Sequence, residues 1–129
     1  QEGPGNITSF PLFVDVLNDD YRLAAGSPCI NAARSEDLPG DLADLDGDGD
    51  VLEPTPQDFS GLARIVGSTV DIGAWEFCPY DVDLDGAVGV LDFIGLLDAW
   101  GSPGALDYDQ SGAVDTPDML ELLWHWGGC

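Results

Sequence analysis

The hydrophobic and polar positions follow different patterns in the two halves of this 129-residue chain. In the first half, the segment "STVDIGAWEF" (68–77) alternates apolar and polar residues with the period of a half-buried strand. The runs "FPLFVDV" (10–16) and "LARIVG" (62–67) are also rich in residues that favour strands. The pattern therefore predicts short strands at these three places.

The segment 34–61 lies between these runs and predicts irregular structure. It contains Pro39, Pro54 and Pro56 together with many Gly and Asp residues. Proline removes backbone donors and fixes φ, and glycine leaves the backbone free, so neither a helix nor a sheet is favoured. We expect a long loop here.

From Cys78 onward the pattern changes and repeats. The stretch "DVDLDGAVGVLD" (81–92) returns 26 residues later as "DYDQSGAVDTPD" (107–118). Each acidic stretch is followed by about ten residues with helical periodicity that end at a glycine. The apolar residues predicted to share the inward faces of these helices are Phe93, Leu97 and Trp100 in the first and Leu120, Leu123 and Trp124 in the second.

These patterns predict an α+β chain with two small domains. Residues 1–77 form a domain rich in β-structure and loops, and residues 78–129 form a duplicated loop–helix module. The apolar faces of the two helices are expected to pack against each other.

The charge of the chain changes this picture. There are 25 Asp and Glu residues against 3 Arg and no Lys, which gives a formal net charge of −22. Such self-repulsion opposes a compact state and argues against binding to nucleic acid or to anionic membranes. It is also the usual signature of disorder. Because 44% of the residues are hydrophobic, we instead expect multivalent cations to neutralise some of the charge.

The two acidic stretches have the ligand spacing of a twelve-residue calcium loop, which supplies oxygens from positions 1, 3, 5, 7, 9 and 12. Gly86 and Gly112 stand at position 6, where the chain turns sharply. Val88 and Val114 stand at position 8 and are expected to join the loops in a small β-bridge. The predicted ligands are Asp81, Asp83, Asp85, the Ala87 carbonyl and Asp92 in the first loop, and Asp107, Asp109, Ser111, the Ala113 carbonyl, Asp115 and Asp118 in the second.

A third acidic stretch, "DLDGDGD" (44–50), begins in the same way. Its candidate ligands are Asp44, Asp46, Asp48 and the Asp50 carbonyl, with Gly49 at position 6. The frame fails at position 12, where Thr55 stands. Glu53 or Asp58 would then have to close the site, and the alternative is a flexible acidic turn without an ion.

The chain has three cysteines, Cys29, Cys78 and Cys129, without a CxxC or Cys/His cluster that would indicate zinc. Cys78 and Cys129 lie on either side of the acidic repeat, which suggests a disulfide around one module. Three buried thiols in a reducing compartment are the alternative. Cys29 is expected to be a small, unpaired core residue.

Residues 79–129 resemble the type I dockerin module. The resemblance rests on Asp at position 12 of both loops, one helix after each loop, tandem duplication, "WG" after each helix and the flanking cysteines. It implies two bound calcium ions, secretion to the exterior or cell surface of a bacterium, and docking onto a protein partner of the cohesin type. It also implies an alternative in which the chain is the C-terminal docking module of a larger secreted polysaccharide-degrading enzyme.

The first half has a resemblance of its own. The segments "DYRLAAGSPCINAA" and "DLDGDGDVLEPTPQDFSGLARIVGSTVDIGAWEF", within residues 10–77, resemble the closing coil and cap of secreted bacterial right-handed parallel β-helix proteins. A lone solenoid coil buries its face only against a neighbour. The resemblance therefore implies either a longer precursor or a second subunit that covers the coil, and in the second case copies could add head to tail into a filament.

Catalysis is not expected from this sequence. The arginines Arg22, Arg34 and Arg64 are scattered, and His125 has no evident nucleophile beside it. We expect Arg64 to pair with a nearby carboxylate and His125 to serve on a helix face.

The sequence favours an extracellular, calcium-binding, non-enzymatic assembly or anchoring protein whose partner is another copy or a cohesin-like domain. A carbohydrate-binding module that stacks sugars on tryptophan is the further alternative.

Overall fold

The computed structural model describes residues 6–129, so the first five residues of the predicted N-terminal domain lie outside the described range. The chain divides into two compact units, Gln1–Phe77 and Cys78–Cys129.

An antiparallel hairpin is the first regular structure in the described part of the first unit. Strand β1 spans Phe13–Asp15 and strand β2 spans Asp20–Leu23, with a 3-10 turn at Val16–Asn18 between them. The rings of Phe13 and Tyr21 meet edge to face at 5.6 Å, which adds side-chain contact to a very short ladder. The first predicted strand is thus confirmed over three residues, and β2 was not predicted.

The strands predicted at 62–67 and 68–77 are wrong. Neither segment forms a strand, although Val70 and Asp71 are buried. For the segment 68–77, the reason is that side chains, and not a neighbouring strand, accept the backbone N–H groups of 68–71. The acceptors are Asn31 Oδ1 for Ser68 and Thr69 at 2.8 and 3.1 Å, Ser35 Oγ for Val70 at 3.2 Å, and Glu76 Oε1 for Asp71 at 3.0 Å.

The predicted loop at 34–61 is confirmed as irregular. Its described backbone contains one 3-10 turn, Ser35–Asp37, and takes part in two isolated antiparallel bridges, Gly40 with Pro54 and Gln57 with Ala63.

Polar contacts hold much of the first unit together. Among its described residues, 6–77, the buried apolar ones are Leu23, Cys29 and Val70, a very small core. Asp71 is 1% exposed and accepts the N–H groups of Asn31 at 2.6 Å and Phe77 at 2.7 Å, so it ties together segments forty residues apart. These contacts satisfy a buried carboxylate that would otherwise be costly.

Arg64 pairs with Glu76, whose side chain is 1% exposed, and also donates to the Gly73 carbonyl at 2.8 Å. This confirms the expected carboxylate partner for Arg64. Burial raises the pKa of Glu76 to about 7.

The pKa of Glu76 predicts a loss of stability with rising pH. The folded state holds the Glu76 proton more tightly than the unfolded chain, whose pKa is near 4.5, so stability is lost as pH rises between these values. From pH 5 to pH 7 we expect about 2 kcal/mol to be lost from the unfolding free energy. Thermal unfolding of wild type and Glu76→Gln across this range, in saturating calcium, measures it. A difference between the two proteins that stays constant with pH would contradict the prediction.

The second unit contains the two predicted helices, and they are confirmed. Helix α1 spans Val90–Asp98 and helix α2 spans Thr116–Trp124. The chain leaves each helix through a glycine in the left-handed region, Gly101 at φ 75° and Gly127 at φ 98°, where a residue with a Cβ would be strained.

The two repeats are joined by reciprocal backbone hydrogen bonds. The N–H of Gly101 donates to the Val114 carbonyl at 2.8 Å, and the N–H of Gly127 donates to the Val88 carbonyl at 2.8 Å. The predicted β-bridge between Val88 and Val114 is therefore wrong. The Val114 carbonyl accepts a hydrogen bond from the segment after α1, and the Val88 carbonyl accepts one from the segment after α2. The two valine side chains nevertheless lie in one core, which consists of Cys78, Val88, Leu96, Val114 and Leu122.

The predicted inward helix faces are wrong except at Phe93, which packs partly buried against this core. The residues that point into the core are Leu96 and Leu122, both 0% exposed. The residues that were predicted inward but lie exposed are Leu97, Trp100, Leu120, Leu123 and Trp124. The physical reason lies in the third residue of each helix, Asp92 or Asp118, which is buried against its own loop. Residues four positions apart share one face of a helix, so Leu96 and Leu122 point inward on the same side as these aspartates.

Candidate metal centres

The first acidic loop is folded around its own carboxylates. Asp81 accepts the N–H groups of Asp85 at 3.0 Å and Gly86 at 2.9 Å, one on each oxygen. Asp83 accepts a second bond from the Asp85 N–H at 3.1 Å, and Asp85 accepts the Ala87 N–H at 3.0 Å. The turn depends on Gly86, which adopts φ 96°. The predicted ligands at positions 1, 3 and 5 are thereby oriented by the backbone of the loop itself.

The second loop repeats this arrangement. Asp107 accepts the N–H groups of Ser111 at 2.9 Å and Gly112 at 2.8 Å, and Asp109 accepts the Ser111 N–H at 2.9 Å. The Ser111 hydroxyl, at position 5, donates to the Ala113 carbonyl at 3.3 Å, so two predicted ligands of this loop are adjacent.

The aspartates at position 12 join each loop to its helix. Asp92 accepts the N–H groups of Val82 at 2.6 Å, Asp83 at 3.2 Å and Gly89 at 2.6 Å. A carboxylate in the first turn of a helix is also favoured by the helix dipole. Asp92 is therefore shown to hold both ends of its loop against α1, whereas its role as a ligand stays a prediction.

Asp118 makes the same contacts in the second repeat. It accepts the N–H groups of Tyr108 at 2.6 Å, Asp109 at 3.3 Å and Asp115 at 2.8 Å. Burial acts to raise the pKa of Asp118, but these N–H donors outweigh it and hold the pKa below its usual value. Asp118 is thus kept ionised although it is 0% exposed.

In both loops, carboxylate oxygens converge on a small volume. Asp81, Asp83 and Asp85 form one group, and Asp107, Asp109 and Asp118 form another, each with ligand oxygens within 4.8 Å of one another. Calcium binds oxygens at about 2.3–2.6 Å, so oxygens on opposite sides of one ion lie about 5 Å apart. The spacing in both loops therefore suits a single calcium ion.

An unsatisfied carboxylate oxygen in the second loop provides an independent test of the fit. Asp115 Oδ1, at position 9 of the second loop, is buried without a hydrogen-bond partner. Desolvation and the charges of Asp109, Asp118 and Asp107 raise the pKa of Asp115. Desolvation likewise raises the pKa of Asp81, with a contribution from Asp92. A divalent cation among these groups would remove the repulsion and give the Asp115 oxygen a partner, so the residues fit calcium.

The predicted carboxylates at the start of the third acidic stretch lie close together. Asp44 accepts the Gly49 N–H at 3.1 Å, which matches positions 1 and 6 of the other loops. The ligand oxygens of Asp44, Asp46 and Asp48 lie within 4.8 Å of one another. Asp50 is exposed and accepts the Leu52 N–H at 2.9 Å.

Asp58 is one of the two alternatives, with Glu53, for closing this third stretch, and this alternative stays a prediction. Both of its oxygens serve the backbone elsewhere in the first unit: Oδ1 accepts the N–H groups of Ser60 and Leu62, and Oδ2 accepts that of Glu76. Asp58 therefore stabilises the turn that follows it.

Sequence reasoning missed Asp41. Its ligand oxygen lies within 4.8 Å of those of Asp46 and Glu53. Asp41 lies outside the "DLDGDGD" frame, so the calcium-loop spacing does not include it. The sequence indicates its position only through "PGD" and "EPT", which mark the two ends of a loop and so could have placed Asp41 near Glu53.

The sulfur atoms of Cys78 and Cys129 are within bonding distance, and the Cα atoms are 5.8 Å apart, within the ordinary range for a disulfide. Cys29 is 2% exposed and lies in the first unit.

The basic side chains are already engaged. Arg22 pairs with Asp20, and Arg34 pairs with Glu36 and Asp37. His125 stacks on Tyr80 with ring centroids 3.9 Å apart, and its Nε2 lies 3.7 Å from Glu121. These contacts place His125 in side-chain packing at the end of α2.

No protein-family model, curated protein or solved structure matches this chain. The dockerin-like and β-helix-like interpretations therefore stay predictions. Among residues 6–129, no helix has both the length and the apolar character that crossing a membrane requires.

Proposed function

We propose that this chain is a secreted, extracellular or cell-surface protein that binds calcium and serves in assembly or anchoring, without catalysis. The loops 81–92 and 107–118 would each hold one Ca²⁺. The observation that carries the proposal is the pair of buried aspartates, Asp92 and Asp118, which connect each acidic loop to the helix behind it. Ion binding in the loops would then contribute directly to the folding energy of the Cys78–Cys129 unit.

The proposed partner is a protein, either another copy of this chain or a cohesin-like domain. The support is an apolar stripe along each helix on the side away from the core. On α1 the exposed stripe consists of Val90, Leu91, Ile94 and Leu97, and on α2 it includes Leu120 and Leu123. Contiguous exposed apolar surface of this kind is typical of association sites.

Calcium-dependent association tests the partner assignment. We expect Ile94→Ser combined with Leu120→Ser to weaken association at least tenfold, because it removes apolar contact from both stripes. Leu52→Ser, on an 88% exposed leucine of the first unit, is the matched control and should have no effect. Sedimentation with calcium and with chelator measures self-association, and capture on an immobilised cohesin-like domain measures the foreign partner. A calcium-loaded chain that stays monomeric and is not captured would contradict the proposal.

Two alternatives keep specific support. The same stripe would serve a docking module of a larger secreted polysaccharide-degrading enzyme, and capture by a cohesin-like domain without self-association favours that case.

Sugar binding is favoured by the tryptophans: Trp124 is 85% exposed, and Trp100 and Trp126 are close to half exposed, so packing accounts for only some of their surface. A glycan array with wild type and Trp124→Ala distinguishes sugar binding from protein docking.

A further inference from the structure

The loop 39–55 of the first unit is closed at its base by backbone pairing. Gly40 and Pro54 form an antiparallel bridge, and the N–H of Asp41 donates to the Glu53 carbonyl at 2.8 Å. The N–H of Thr55 donates to the Pro39 carbonyl at 2.8 Å. This pairing places Asp41 and Glu53 opposite each other, although they are far from each other in the acidic sequence.

Two carboxylate oxygens at this base are buried and have no hydrogen-bond partner. Asp41 is 1% exposed; its Oδ2 accepts the Leu45 N–H at 2.7 Å, whereas its Oδ1 has none. Glu53 Oε1 is also buried without a partner. A buried, unsatisfied carboxylate oxygen is costly in free energy, and each such group in a folded protein calls for a missing partner.

The segment itself supplies no cationic side chain that could be this partner. Residues 41–53 contain six acidic residues and no Lys, Arg or His. The ligand oxygen of Asp46 lies within 4.8 Å of those of Asp41 and Glu53. Three oxygens at this spacing surround a volume suited to one ion with metal–oxygen distances of about 2.3–2.6 Å.

We propose that Asp41, Asp46 and Glu53 form a third cation site, in the first unit, for a hard divalent ion of the calcium type. The donor set is carboxylate oxygen alone, which favours calcium or magnesium over zinc or copper. Asp46 is exposed, so water completes the coordination on that side. The site differs from the sequence frame at 44–50 because its closing ligands come from the paired base of the loop. It does not depend on the proposed function of the second unit.

Counting bound ions tests this site. Native mass spectrometry of the full chain, titrated with CaCl2, should show three ions on wild type and two on Asp41→Asn. Asparagine keeps an oxygen for the Leu45 N–H but removes the charge from the site. Asp50→Asn is the matched control: it makes the same charge change in the same loop, outside the group, and should keep three ions. Glu53→Gln should lose one ion, as Asp41→Asn does.

The outcomes separate this site from those of the second unit. Two ions on both wild type and Asp41→Asn would overturn the third site and leave the two loops intact. One ion on wild type and none on Asp41→Asn would support the third site and contradict the loops. If Asp41→Asn does not fold, the backbone amide resonance of Leu45 in wild type gives the answer: it should shift at the calcium equivalent that fills this site, and an unchanged resonance at saturation would overturn the proposal. The same titration with MgCl2 distinguishes the two hard ions.

Discussion

Removing calcium should lower the melting temperature of the Cys78–Cys129 unit by roughly 20 °C or more. A ligand at a hundred times its dissociation constant stabilises the folded state by about 2.7 kcal/mol per site, so two sites give about 5 kcal/mol. In a domain of this size, 1 kcal/mol corresponds to about 4–8 °C. The effect is large because the unit has five buried core residues, which leaves little apolar burial to replace the ions.

The measurement must report on the second unit alone, because a chelator would also empty the site at Asp41. Hydrogen exchange at the amides of Leu96 and Leu122, the two residues at the centre of the core, meets this condition. Calcium should slow the exchange of both amides, and chelator should make it faster. Sodium chloride at equal ionic strength is the control, because it screens charge without occupying the sites. Identical exchange and melting with calcium and with chelator would end the calcium interpretation of these loops.

Asp118→Ala should cost about 2 kcal/mol of unfolding free energy even in calcium-free solution. The substitution leaves the N–H groups of Tyr108, Asp109 and Asp115 without their acceptor. Tyr108 and Asp115 are half-buried, and an unsatisfied buried donor costs about 1–3 kcal/mol, whereas water can reach the N–H of the exposed Asp109. The loss of a buried charge offsets some of this cost. Chemical denaturation in the presence of chelator measures the difference.

The matched control is Asp109→Ala in the same loop. Asp109 is exposed and accepts one N–H, that of Ser111, so its removal without calcium should change stability by less than about 1 kcal/mol. With calcium present, Asp109→Ala should lower ion affinity because a position-3 ligand is lost. Equal effects of the two substitutions in chelator would show that Asp118 does not connect loop and helix as the structure indicates.

Local sequence alone determined the order of loops and helices in the second unit. The spacing of Asp and Gly predicted two loops, and the periodic residues after each loop predicted α1 and α2, because turns, helix starts and helix ends depend on nearby residues. The left-handed glycines Gly101 and Gly127 stand where the sequence ends each helix. The loop at 34–61 was predictable for the same reason, since proline and glycine act on their own backbone.

Only the tertiary structure decided which residues face inward and which distant groups meet. Helix α1 is apolar on most sides, so periodicity could not choose between Leu96 and Leu97; the buried Asp92 made that choice by tying the helix to its loop. The strand pattern at 68–77 was overridden by side-chain acceptors. Among them, Asn31 accepts the N–H groups of Ser68 and Thr69 from a position far back in the chain. Asp41 meets Glu53 only because backbone pairing closes the loop between them. Burial and long-range hydrogen bonds depend on the path of the whole chain. That path cannot be predicted from the residues of a short segment alone.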